Sequence, residues 1–126
     1  MNTKELNEKL LKFAGFIKIL KPEWSQNDNK NLRWIYPNGQ KYSTHPNLIT
    51  SLDLQAKWIY PKIAEAQLEI QLHKDWDIQW RNHPYVCQII KSSHYQVGYG
   101  EDNDSMSIAF ALAVEKYIDG LNKTEV

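Results

Sequence analysis

A polar-aromatic run, Ser93-His94-Tyr95-Gln96-Val97-Gly98-Tyr99-Gly100, gives way at Glu101-Asp102-Asn103-Asp104 to a nearly unbroken apolar stretch from Met106 to Ile118. Alternation at Tyr95, Val97 and Tyr99 predicts a half-buried strand. The acidic-Asn turn supplies a helix start, and Ile108, Ala111, Leu112 and Ile118 follow at helical spacing. A strand that turns directly into an apolar helix needs a sheet face for that helix to cover, which points to mixed α and β structure.

The rest of the chain agrees. Asn2 or Thr3 caps a first helix whose Leu6, Leu10, Phe13 and Ala14 share one face, with Gly15 placed to end it. Phe16 to Leu20 reads as extended, and a polar loop, Ser25 to Asn31, follows Pro22. Leu32, Trp34 and Tyr36, then the turn Pro37-Asn38-Gly39 with φ > 0 available at Asn38 and Gly39, then Gln40-Lys41-Tyr42, form a β-hairpin. Thr50 and Asp53 open a second helix carrying Leu52, Leu54, Trp58, Ile59 and Ile63. Pro61 sits inside it, so this helix is either kinked near Lys57 to Tyr60 or restarted at Pro61. From Leu68 the apolar period changes to two, and Leu68 to Tyr99 reads as an antiparallel meander with connections too short for parallel crossovers. A last helix runs from Asp104 or Ser105 to about Asp119 and ends at Gly120. The expected fold is therefore a single α+β domain over residues 1–126, an antiparallel sheet of hairpin plus meander packed with about three helices as an α/β sandwich.

Charge and cysteine use narrow the function classes. Fifteen basic and fifteen acidic side chains in 126 residues cancel, leaving no long-range field to attract duplex nucleic acid or an anionic membrane. The single cysteine, Cys87, lies in an apolar run and reads as a buried inert thiol, so no intrachain disulfide framework exists. The N-terminal stretch carries Lys9, Lys12 and Lys18 where a signal peptide would be apolar, and no run of about 18 apolar residues is present. Cytoplasmic location and no membrane insertion are the expectations.

Catalytic signatures are not found. His83 and Cys87, with His73 and His94 near in sequence, would sit about 13 Å apart on an extended strand, too far for one zinc ion unless a turn folds them together. Glu101, Asp102 and Asp104 lack the alternation and the distant glutamate of an EF-hand, and read as an acidic first turn of a helix. Gly98-Tyr99-Gly100 lacks the Lys-Ser/Thr of a phosphate loop and is followed by acids that would repel phosphate. No metal, no cofactor and no enzymatic activity are expected.

What remains is an aromatic load of five tryptophans, seven tyrosines and three phenylalanines, more than one small core hides completely. The candidate binding patch is Trp34, Tyr36 and Tyr42 of the hairpin with Trp76 and Trp80 of the meander, ringed by Arg33, Lys41 and Arg81. A protein partner fits the balanced charge best. The alternatives are a single-stranded nucleic-acid binder, in which the same rings stack on bases, and a small-ligand-binding protein or enzyme. A homodimer is compatible with all three readings.

Two stretches carry a family resemblance: Thr50-Ser51-Leu52-Asp53 leading into Lys57-Trp58-Ile59-Tyr60-Pro61-Lys62-Ile63, and Ser107 to Ile118 with its Ala-Val-Glu-Lys ending. In these the chain resembles the phage ABA-sandwich domain type, small proteins of bacteriophages and prophages, over about residues 32–119. The stretch Gln71 to Asn82 is longer than the strands of that family. The resemblance implies a phage accessory protein that binds a host or phage macromolecule and interferes with a bacterial defence system, as an anti-CRISPR does. It implies no catalytic residues.

Overall fold

The structure is a computed structural model that describes residues 3–24, 31–74, 85–92 and 95–124. In chain order the elements are α1 (Thr3–Ala14), β1 (Ile17–Trp24), β2 (Asn31–Ile35), β3 (Lys41–Tyr42), α2 (Leu52–Trp58), α3 (Tyr60–Glu65), β4 (Glu69–Lys74), β5 (Tyr85–Ser92), β6 (Tyr95–Asp102) and α4 (Met106–Thr124). The α+β prediction holds, with a difference in the sheet. The hairpin and the meander form two separate three-stranded antiparallel sheets, ordered β1-β2-β3 and β4-β5-β6. The extended segment after Gly15 explains this, because β1 pairs with β2 and completes the first sheet without the meander.

The helix α4 is central because its residues are apolar almost all round. Ala109, Phe110, Ala111, Ala113 and Val114 are all buried, as a helix enclosed on several sides requires. It lies against β5 and β6 on one side and against α1 and α2 on others. Its close seat on β6 comes from two glycines. A Cβ on Gly98 would stand 2.5 Å from the Ala113 carbonyl oxygen, and one on Gly100 would stand 2.5 Å from the Ala113 nitrogen and closer still to the Ala109 carbonyl oxygen. The inward face of β6 is thus its glycine face. Tyr95, expected to be half-buried, points outward, and the Tyr99 hydroxyl donates to Glu101 on the strand's outer part.

Helix boundaries follow local chemistry. Gly15 ends α1 with φ +101°, the left-handed conformation a glycine adopts freely. Ser51, rather than Thr50, caps α2, its Oγ accepting from the Leu54 nitrogen. Pro61 falls in the first turn of α3, where its missing N–H costs nothing, so the helix restarts there and four helices replace three. Asp102 accepts from the nitrogens of Asp104 and Ser105, and Ser105 Oγ from that of Ile108, which opens α4 as the acidic-Asn turn predicts. Gly120 does not end α4, which continues to Thr124. In the β2–β3 turn only Gly39 uses positive φ (+88°); Asn38 instead accepts from the Gln40 nitrogen.

Two buried amides tie down the irregular segment between β3 and α2. Asn7 of α1 donates to the Pro46 carbonyl at 3.2 Å and accepts from the Leu48 nitrogen at 2.8 Å. Gln55 of α2 donates to the carbonyls of Leu48 (2.8 Å), Ile49 (3.3 Å) and Ser107 (2.8 Å). Backbone groups that have no strand or helix to pair with are satisfied in this way. Leu48 and Ile49 then enter the core beside Ile59 and Ile63.

Cys87 is buried on the inner face of β5 and burial pushes its thiol up from 9.0 to about 12. Only the thiolate reacts, so Cys87 is expected to resist a thiol reagent in the folded protein at pH 8 and to react fully in denaturant. The sign for stability follows. Unfolding lets the thiol ionise near its ordinary value, so the stability from keeping it neutral is intact below pH 9 and is lost as pH rises towards about 12. A denaturation series between pH 8 and 11, compared with Cys87→Ala, reads that loss directly.

Candidate interaction surface

The first sheet carries the most exposed apolar surface of the described residues. Strand β1 starts as ordinary ladder, Ile17 opposite Ile35 and Lys18 opposite Trp34, and resumes with Glu23 opposite Leu32 and Trp24 opposite Asn31. Between these pairs the segment Ile19–Pro22 stands opposite Arg33 alone, a large bulge. Leu20, within the bulge, is 94% exposed, and the paired residues at the two ends of the strand, Trp24 and Ile17, are 70% and 59% exposed. A leucine so fully in water gains nothing from folding, and aliphatic and aromatic side chains exposed along one edge make it the candidate interaction surface. The sequence adds four cations to this sheet, Lys18, Lys21, Arg33 and Lys41, against Glu23.

The residues of the expected patch take different positions. Tyr42 is 41% exposed on β3, and Arg33 and Lys41 are exposed beside it. Trp34 is corrected: only 7% of it is exposed, because alternation on β2 turns the ring inward onto the core, where His45 meets it edge-on at 4.9 Å. Tyr36 is half-buried. It packs against Phe16 (4.6 Å), Trp58 (5.7 Å) and Tyr42 (4.3 Å), and its hydroxyl donates to the Thr44 carbonyl at 3.0 Å. These rings build a platform under the sheet rather than anchors on it. Trp76, Trp80 and Arg81 lie outside the described residues, as do His83 and His94.

Ile17 and Leu20, the anchors that the aromatic count overlooked, were signalled otherwise. An apolar segment, Phe16 to Leu20, broken by Lys18 and followed by Lys21-Pro22, has the marks of an edge strand, where lysine and proline blunt pairing with another chain.

Under the sheet edge two hollows adjoin. One, of about 420 Å³, lies between α1 and the strands and is lined by Lys4, Glu8, Lys18, Arg33, Thr44 and His45, among others. The other, of about 310 Å³, is bordered by Lys12, Phe16 and Ile17. Glu8, Lys18 and Trp34 border both, and the Lys18 ammonium stands 6.0 Å from the centre of the Trp34 ring. The His45 ring is held in place, its Nδ1 3.3 Å from Asn7 Nδ2 and 3.1 Å from the Pro46 carbonyl oxygen.

Among the described residues no group of three or more His, Cys, Asp or Glu is placed to hold a metal ion, and no helix is long and apolar enough to cross a membrane. Asp104 of the acidic turn borders a separate open hollow with Ser51, Asp53 and Ser105, while the Asp102 carboxylate serves the start of α4. No protein-family model, no curated protein and no solved structure matches the chain, so its function rests on this geometry.

Proposed function

We propose that this protein acts by binding another protein through the edge of its first sheet, without covalent chemistry of its own. The observation that carries this is the bulged edge strand, which holds Leu20 and Trp24 in water beside lysines. Large apolar side chains at the centre of a patch with charges at its rim are the usual energetic anchors of protein interfaces. Aliphatic anchors also favour a protein over single-stranded nucleic acid, since bases stack on rings and gain little from Ile17 or Leu20. The phage ABA-sandwich resemblance supplies a setting: a phage or prophage product in the host cytoplasm, whose captured protein belongs to a host defence complex that it inhibits.

The test is capture from bacterial lysate on immobilised protein, comparing the native chain with a Leu20→Asp, Trp24→Ala double variant. Both side chains are exposed, so the variant is expected to keep its melting temperature within a few degrees while losing tenfold or more of the retained partner. A partner retained equally by both proteins would refute the assignment of the surface.

A further inference from the structure

Charge is distributed unevenly over this neutral chain, and the unevenness selects a kind of partner. Helix α1 and the first sheet together carry seven cations against the three carboxylates of Glu5, Glu8 and Glu23, whereas Glu101, Asp102 and Asp104 cluster at the start of α4. The larger hollow brings three cations from three elements together against one carboxylate: Lys4 and Glu8 from α1, Lys18 from β1 and Arg33 from β2, with the Thr44 segment closing one side. The smaller hollow adjoining it is walled by Phe16 and Ile17. Lys18, Glu8 and Trp34 border both, so a compartment of net positive charge adjoins a more apolar one.

The geometry points to an acidic segment of a partner protein as the occupant, one that places a carboxylate in the Lys4–Lys18–Arg33 hollow and an adjacent apolar side chain against Phe16 and Ile17. This rests on the reading of the sheet edge as a protein-binding surface and names the chemistry of what binds. Carboxylate oxygens suit the compartment because the Arg33 guanidinium and the Lys18 ammonium are donors without acceptors. A nucleic-acid strand suits it less well, because Trp34 is only 7% exposed and the Lys18 ammonium already stands over its ring, which leaves little of it for a base to stack on. A second copy paired edge to edge through β1 suits it less well, because the bulge interrupts the strand and Pro22 has no N–H to give to such a ladder.

The experiment uses the full chain labelled with 15N and two short peptides, one alternating glutamate with leucine and the other lysine with leucine, with oligothymidylate as a third probe. The glutamate peptide is expected to shift the amides of Lys18, Arg33 and Thr44 saturably. Its binding should weaken at least tenfold in Lys18→Glu, Arg33→Glu and also when salt is raised from 50 to 500 mM, the salt series standing even if the variant folds poorly. The lysine peptide should leave those amides unmoved. Equal shifts with both peptides, shifts with oligothymidylate alone, or salt-sensitive self-association of the free chain through its acidic turn would each overturn the inference. Should the glutamate peptide fail while Leu20→Asp, Trp24→Ala still abolishes capture, the hollow's chemistry falls alone. If that double variant is silent as well, the binding surface falls with it.

Discussion

Gly100→Ala is expected to cost about 4 kcal/mol or more, enough to lower the melting temperature by about 15 °C or to prevent folding. The reason is what the new methyl group meets. Its Cβ would collide with the Ala109 carbonyl oxygen and the Ala113 nitrogen, backbone atoms on consecutive turns of α4, and with the Leu112 Cβ. Side chains can swing aside, but a helix backbone moves only as a unit. Relief therefore requires lifting α4 from β6, which uncovers Cys87, Ile89 and the alanine face of the helix. Gly120→Ala is the matched control. Gly120 lies exposed within α4 with nothing near its would-be Cβ, so alanine there is expected to raise stability by about 1 kcal/mol. Thermal or urea denaturation of the two variants side by side measures both; an unchanged midpoint for Gly100→Ala would mean that α4 sits farther from β6 than described.

Gln55→Ala is expected to cost a comparable amount, about 4 kcal/mol. The side chain is fully buried, so truncation leaves a cavity. It also strips partners from the carbonyls of Leu48, Ile49 and Ser107, which lie on two separate segments. Two hydrogens on one nitrogen serve three acceptors, so no smaller residue replaces the junction. Gln55→Leu fills the volume but leaves the Leu48 and Ile49 carbonyls, which no helix or strand pairs, without their donor, and should recover less than half of the loss. Hydrogen exchange adds a local readout: the Leu48 amide, held by Asn7, should lose protection well before those of α4. If Gln55→Leu proves as stable as the native chain, those carbonyls are satisfied by water and the amide is dispensable.

Much of the architecture is legible in the sequence because it depends on local chemistry. The Gly15 stop, the meander's period of two and the Pro61 restart are each written within a few residues. What escapes is decided by tertiary neighbours. Whether Trp34 is an anchor or core depends on which face of β2 meets α1, and alternation alone gives the period without the side. The same ambiguity hides the role of Gly98 and Gly100: the aromatic residues beside them look like the buried set until α4 is seen to need bare backbone. Gln55 reads as a polar position on an amphipathic helix, and nothing nearby shows that unpaired carbonyls converge on it. Leu20 reads as part of a strand's apolar run, and only the three-residue excess of the bulge puts it in water.

The seating of α4 has a consequence for biosynthesis. Helix α4, the last of the described elements to be synthesised, covers β5 and β6 and packs against α1. Until α4 emerges from the ribosome, at about 5–20 residues per second, Cys87 and Ile89 lack the helix that packs on their strand. Folding should therefore be late and abrupt rather than vectorial, and nascent chains stalled before Ser107 should be protease-sensitive throughout, whereas chains extended past Tyr117 and clear of the exit tunnel should become resistant in one step.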